Sequence, residues 1–410
     1  MSLSRKILFT FGMILVFRLG VHILVPGIDA ASIQDLLSGQ LFGFLDVVSG
    51  GAFKRFSIFA MSITPYINAS IILNLLTIVI PRLEELSKEG EEGKKKIAEY
   101  TRYCTVGFAF LQALGLTFAL SRYNALISPG IFTYVTIPIF LTTGTILLMW
   151  IGEMITEKGI GNGISLIIFS GIVARIPSAL QGMIVAFQQN TIGWLNLISM
   201  VLVVVVVIVA VICVNEGQRR IPIQYAKRMV GRRMYGGQSS FLPLKVNTAG
   251  VIPIIFAMSM VMFPTVIGSW MDPANAYNTF LTRYFHMGSI GYNLVNASLI
   301  VFFTYFYVAI IFNPADIADN IKKNAGFIPG IRPGRPTAEY IDRVLSRLTL
   351  AGGIFLALIA IMPNFVIAFT GIPNLYFGGT ALLIVVGVAL DTMKQIESNM
   401  LLRNYEGFVK

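Results

Sequence analysis

The sequence predicts an all-α membrane protein with ten transmembrane helices in two inverted five-helix halves. Three observations carry that prediction. Hydrophobic residues make up 55% of the 410 and charged residues only 12%, with a mean hydropathy of +0.75, whereas a soluble domain carries about 25% charged residues. The apolar residues also fall in runs of spanning length, since a hydrocarbon core about 30 Å thick takes roughly 20 residues of helix. Finally, if successive runs cross in alternation, about 25 of the 31 lysines and arginines share one side of the membrane, as they do in cytoplasmic loops because basic residues resist transfer across the bilayer.

The runs begin near Ile7, Ser57, Tyr103, Ile131, Gly163, Ile192, Gly250, Leu294, Val344 and Tyr376. The first has the outline of a secretory signal, with Arg5 and Lys6, an apolar stretch from Ile7 to Phe17, then Ala30-Ala31. Apolar character resumes after Arg18 as far as Val25 and further spans follow, so an uncleaved first helix is expected. Segment 40–75 departs from simple spanning. Gln40 to Val48 is amphipathic and too short to cross, Gly50-Gly51 breaks it, and a new apolar run starts at Phe56 after Lys54-Arg55. Two readings are open: a re-entrant element packed inside the protein, as non-helical backbone at membrane depth requires, or an amphipathic external loop lying on the bilayer.

A cytosolic N-terminus lets the charges alternate. Arg82, Lys88, Lys94, Lys95, Lys96 and Arg102 follow the second run. Arg219, Arg220, Lys227, Arg228, Arg232, Arg233 and Lys245 follow the sixth, and Lys322, Lys323, Arg332, Arg335, Arg343 and Arg347 follow the eighth. Only Lys54, Arg55, Arg122, Arg175 and Arg283 fall outside. The reverse topology would carry three basic clusters across the membrane, and ten spans bring the C-terminus back to the cytosol. Five spans per half make the second half (191–410) enter from the side opposite the first (1–190). Such halves are inverted repeats about an in-plane axis, with a functional site between them. No internal sequence match is visible by inspection, so this division rests on the count of spans.

No catalytic constellation, metal set or cofactor motif is visible, and the chain is expected not to be an enzyme. Gly90-Glu91-Glu92-Gly93-Lys94 lacks the spacing of a phosphate loop, and Gly159-Ile160-Gly161-Asn162-Gly163 reads as a tight cytosolic turn opening a membrane helix. Cys104 and Cys213 sit in apolar segments and imply no disulfide or metal site. His22 and His286 read as structural. The Asn68-Ala69-Ser70 and Asn296-Ala297-Ser298 triplets lie in or beside spans and are not glycan acceptors. Arg18 lies within a span and Glu153 and Asp391 near helix ends; the lack of a mid-span carboxylate pair weighs against an ion-coupled transporter. The net charge of +11 sits in loops beside the spans, suited to anionic headgroups and to an acidic or RNA-bearing cytosolic partner. Loops 216–249 and 313–336 are long and turn-rich, which favours a docking platform over mere topology anchors. Pro329 and Pro333 flank Arg332, so its guanidinium is presented at little ordering cost.

Several blocks of sequence resemble one family. Ser57-Ile58-Phe59-Ala60-Met61-Ser62-Ile63-Thr64-Pro65-Tyr66-Ile67 is similar to the second-helix signature of the SecY family of protein-translocation channels, bacterial branch. Gly159–Ser165, Leu242–Asn247 with Ala249–Pro253, Gly330–Gly334 and Gly378–Val386 resemble it too, in order along nearly the whole chain. The resemblance implies an hourglass pore in the bacterial plasma membrane that passes unfolded polypeptides across, or releases them sideways into lipid. It implies a pore ring of Ile63, Ile67, Ile168, Ile255 and Ile384. β-Branched apolar groups resist wetting and offer a passing chain no fixed bonds. It also implies a plug with its hinge over Phe42, Phe44, Leu45, Val47, Val48, Gly50 and Gly51. A lateral gate for signal peptides would lie between helices two and three and helices seven and eight, with Asn74 among its polar residues. Lys227, Arg232, Arg233 and Arg332 would engage the SecA motor ATPase or the ribosome, which supply the energy, and SecE and SecG would be companion subunits. Phe241 stands where many relatives carry His, which puts that local contact in doubt. The rival readings are an inverted-repeat secondary transporter of small molecules and an insertase or scaffold without a continuous pore.

Overall fold

The structure, a computed structural model, describes residues 3–28, 46, 49–122, 125–189, 193–225, 228–230, 233–235, 239–270, 275–285, 289–370 and 379–408. In chain order the helices are α1 (Leu3–Gly20), α2 (Thr64–Val79), α3 (Pro81–Lys88), α4 (Glu91–Arg122), α5 (Ile131–Lys158), α6 (Gly163–Val173) and α7 (Ile176–Gln188). They continue as α8 (Trp194–Glu216), α9 (Ile252–Trp270), α10 (Ala276–Tyr284), α11 (Ile290–Ile311), α12 (Pro314–Lys323), α13 (Arg335–Thr370) and α14 (Gly379–Phe408). Among the described residues, six helical stretches are long and apolar enough to cross a membrane: 91–121, 131–158, 163–185, 194–216, 290–323 and 335–362. A seventh is α2 with α3, bent by 101° at their junction, where Pro81 cannot continue the helical hydrogen bonding. The fifth span stays one continuous stretch and is interrupted only by a two-residue turn at Ala174-Arg175 between α6 and α7, ahead of Pro177. α1, α9 and α14 stand at the first, seventh and tenth expected spans. α1 carries Arg5, Lys6 and Arg18, and α14 turns polar at Asp391 and Lys394.

The bilayer replaces water as the solvent of the outer surface. Leu195, Ile198, Leu202, Val205 and Val209 on α8, and Ile131, Phe132 and Ile139 on α5, are all exposed. A soluble protein does not leave apolar stripes of that extent in water. Inside, one contiguous apolar cluster draws on α1, α2, α5, α6, α8, α9, α11, α13 and α14. Spans one to five meet spans six to ten along two seams. α9 packs on α2 and α4, and α14 packs on α6 and α1.

Two expectations change. The second span does not begin near Ser57: residues 51–63 are a run of turns, and the helix starts at Thr64. The chain leaving α1 holds this segment as irregular backbone. Phe56 O accepts from Val25 N–H and Ile23 O from Ile58 N–H, both at 3.0 Å, and Phe56 and Ser62 take left-handed φ of 47° and 53°. Phe53, Phe56, Ser57 and Phe59 are buried, so residues 49–63 pack inside the protein; the amphipathic stretch 40–48, to which the two readings apply, lies outside the described residues apart from Asp46. The loop after the sixth span also holds strands that were not expected. β1 (Gln218–Tyr225) pairs antiparallel with β4 (Ser239–Lys245), placing Ile221 opposite Leu242. Between them lies a short ribbon of β2 (Arg228–Val230) and β3 (Arg233–Tyr235). β5 (Gly326–Phe327), from the loop after the eighth span, adds to the other edge of β1, giving the order β4-β1-β5.

Candidate functional site

The five ring isoleucines come from four helices. Ile63 caps α2, and its carbonyl accepts from Ile67 N–H at 3.1 Å, so the two stand one turn apart on that helix. Pro65 at the first turn of α2 fixes where the helix can begin. Ile168 lies in the middle of α6, Ile255 in the first turn of α9 after Pro253, and Ile384 in the first two turns of α14. Ile63, Ile67, Ile168 and Ile384 are buried members of the one large apolar cluster, and Ile255 is half-buried against it. The five thus share one large apolar cluster drawn from nine helices. Aliphatic groups packed this way leave no polar partner for water or an ion.

Of the predicted plug, Phe42, Phe44, Leu45, Val47 and Val48 lie outside the described residues. The hinge glycines are described, with left-handed φ of 68° at Gly50 and 90° at Gly51, conformations glycine adopts without steric cost. Sequence reading missed what surrounds them. Arg18 Nη1 donates to Gly50 O at 3.0 Å, and buried Asp46 is ion-paired with Arg175. The available signals were a charge inside the first span and one of the few basic residues outside. Asn74 is half-buried on α2, and its carbonyl accepts from Thr77 Oγ1 at 2.7 Å. It lies on the helix that meets α9 at the first seam.

The glycine-rich turn ahead of α6 is fixed by three other elements. Ile160 N–H donates to Thr10 Oγ1 of α1 at 3.1 Å, Gly161 N–H to Gln395 Oε1 of α14 at 2.7 Å, and Gly163 N–H to Thr156 Oγ1 of α5 at 2.9 Å. Asn162 then caps α6 by accepting from the N–H groups of Ile164 and Ser165. Its hydrogen bonds are spent on structure, as expected for a turn and not a nucleotide loop. Glu153 is likewise engaged, accepting from Arg102 Nε at 2.9 Å, and Asn68 and Asn296 are buried in helices.

Arg332 is exposed on a turn over Ile328–Gly334. Ile331 N–H donates to Ile328 O at 3.0 Å, Gly330 and Gly334 have positive φ, and Thr337 Oγ1 donates to Arg332 O at 2.9 Å. Ile328 packs with Ile221, Ile223, Leu244 and Ile321 under the sheet, so the two long loops form one body. Lys227 and Arg232 lie outside the described residues. Arg233 is placed only by its backbone, opposite Val230. Phe241 is occupied locally: the Arg220 guanidinium lies 4.9 Å from its ring centroid, a cation–π contact that a histidine would make less well.

These features define a multi-pass helical membrane protein that joins its two sets of spans around a shared apolar centre and carries a platform built from its two long loops. The SecY family model matches residues 57–393, and the chain belongs to that family. Its curated relatives include proteins called protein translocase subunit SecY. The one from Streptomyces coelicolor is 49% identical over 427 residues, covering 100% of this chain and 97% of the relative. The one from Escherichia coli K12 is 47% identical over 418 residues, covering 100% and 94%. Two solved structures share the fold. One, described as a protein-conducting channel, has a TM-score of 0.69 at 17% identity, over 97% of this chain and 93% of that one. The other, Sec61 in a canine ribosome–channel complex, has a TM-score of 0.64 at 16% identity, over 97% and 93%.

Proposed function

We propose that this chain is the protein-conducting channel subunit of a bacterial Sec translocon. It passes unfolded, signal-bearing polypeptides across the plasma membrane and releases transmembrane segments sideways into lipid. What supports this reading is that Ile63, Ile67, Ile168, Ile255 and Ile384, from helices on both sides of the two seams, all belong to or pack against one apolar cluster. In the resting state that ring seals against ions, and a translocating chain displaces it without having to break polar bonds.

The other roles follow the same reading. Residues 1–190 and 191–410 act as two inverted halves. The segment with Phe42, Phe44, Leu45, Val47 and Val48 is the plug, hinged at Gly50-Gly51. The seam of α9 with α2 and α4 opens as the lateral gate, with Asn74 at its edge. Arg332, with Lys227, Arg232 and Arg233, engages the SecA motor or the ribosome, while SecE and SecG complete the channel and anionic lipids meet the basic cytosolic loops. Both termini are cytosolic. Support for ribosome engagement comes from the fold shared with the canine ribosome-bound channel. No observation favours the transporter alternative.

The direct test is photocrosslinking from Ile67 to a secretory precursor stalled in transit. Adducts that require both the motor and a functional signal sequence are expected. Lipid adducts alone, while the precursor still crosses, would remove Ile67 from the path. If nothing crosses with all partners present, the channel reading itself fails.

A further inference from the structure

Asp46 carries a carboxylate and is only 2% exposed. Both of its oxygens are engaged. Oδ2 accepts from Arg175 Nη1 in a charge-assisted bond, and Oδ1 accepts from the Lys54 backbone N–H at 2.6 Å. The Asp46 carbonyl accepts from Gly51 N–H at 2.9 Å and from Ser49 Oγ at 3.2 Å. One residue therefore organises the turn that holds the glycine pair. Its ionic partner stands elsewhere: Arg175 occupies the break between α6 and α7, 129 positions along the chain.

Gly50 is seated on the same end of α6. A Cβ at Gly50 would come 2.8 Å from Gly171 Cα and 2.9 Å from Arg18 Nη1, the group that donates to the Gly50 carbonyl. The hinge backbone thus lies directly on α6, with Arg18 of α1 and the Asp46–Arg175 pair holding it there. Asp46 is buried while the Arg175 side chain is 27% exposed; such a pair adds little net stability, because desolvation of the carboxylate offsets the attraction, yet removing Arg175 leaves a costly uncompensated buried charge. Such a contact suits a switch. It is tight when closed and opens readily once water or a polar chain solvates both ions together.

We propose that Asp46 and Arg175 form a latch that keeps the Gly50-Gly51 hinge seated in the sealed channel and separates when the channel opens. The proposal rests on the channel reading above and names the regulation of that same site. Its test uses the complete complex in planar bilayers, with resting ion conductance measured in the absence of precursor. Arg175→Glu and Asp46→Arg are each expected to raise that conductance roughly tenfold or more, as a shift of the closed–open equilibrium by about 1.4 kcal/mol requires. The double variant with both changes is expected to return close to the wild-type level. Arg175→Gln, which removes the charge and shortens the side chain while keeping an amide donor, serves if the reversed variants fail to accumulate, and it is expected to leak as well. Deletion of residues 42–49 is the reference for a channel without its plug. If the deletion leaks while Arg175→Gln and the reversals stay sealed, the latch is wrong and the channel stands. Failure of the double variant to reseal also overturns the latch. If the deletion does not leak either, the channel reading falls with it.

Discussion

At the scale of single residues, glycine marks where backbones touch. Gly163 opens α6 against α5: a Cβ there would be driven into the Gly152 carbonyl oxygen and come 2.8 Å from Ile155 Cβ. Its φ is not left-handed, so the requirement is closeness alone. Gly163→Ala forces apart two backbones that cannot rotate away, and overpacking of this kind costs about 1–3 kcal/mol. Gly182, in α7, has nothing within 4 Å of the same position, and Ala there gains up to about 1 kcal/mol of helix propensity. Thermal unfolding of the purified complex should show a lower midpoint for Gly163→Ala and an unchanged or higher one for Gly182→Ala. Equal midpoints would mean that the α5–α6 contact relaxes freely. The sequence marked Gly159–Gly163 as a turn because glycine density is local. It gave no sign that Thr10, Thr156 and Gln395 would hold that turn, since those hydroxyl and amide groups are too common to stand out.

At the scale of elements, the platform shows why some features were legible and others not. The helices announced themselves through long apolar runs, and Arg332 through its flanking prolines. The strands did not. Pro222 lies in β1 and Pro243 in β4, arginines crowd the start of β1, and β5 has only two residues, so the two-residue alternation of buried Ile221 and Ile223 is nearly hidden. The start of α2 was misplaced for the opposite reason: Ser57–Ile63 is as apolar as a helix, but its backbone is paired with residues that follow α1. Because β5 pairs with β1, the turn bearing Arg332 is positioned by the hairpin. Arg332→Glu is predicted to leave membrane insertion of the protein normal and to impair motor-driven export. Ile223→Asp places a charge among Ile321 and Ile328, and is predicted to impair export as severely from more than 100 residues away (332 − 223). Limited proteolysis separates the causes. Only Ile223→Asp should make the turn near Gly330 cleavable, and equal export by Arg332→Glu and wild type would remove the docking role.

At the scale of the whole molecule, opening requires one seam to part while the other holds, and the two differ in chemistry. Among the described residues, the side-chain hydrogen bond that crosses from spans one to five to spans six to ten lies on the α14 seam, from Gly161 N–H to Gln395 Oε1. At the other seam α9 packs on α2 and α4, and its contact with α2 lies in the large apolar cluster. Apolar contacts between helices are replaced by lipid tails, or by an apolar signal helix, with little penalty, because lipid is as apolar as the side chains it displaces. A backbone N–H stripped of its acceptor costs about 1–3 kcal/mol. The α9 seam is therefore the one expected to move, and the α14 seam the hinge. Spin labels across each seam, read by pulsed distance measurements, test this directly. On engaging a precursor, the α2–α9 distance should lengthen while the α6–α14 distance stays fixed. Gln395→Leu removes the tie at similar volume and should broaden the α6–α14 distribution even at rest. A precursor that widens α6–α14 and leaves α2–α9 unchanged would reverse the assignment of gate and hinge.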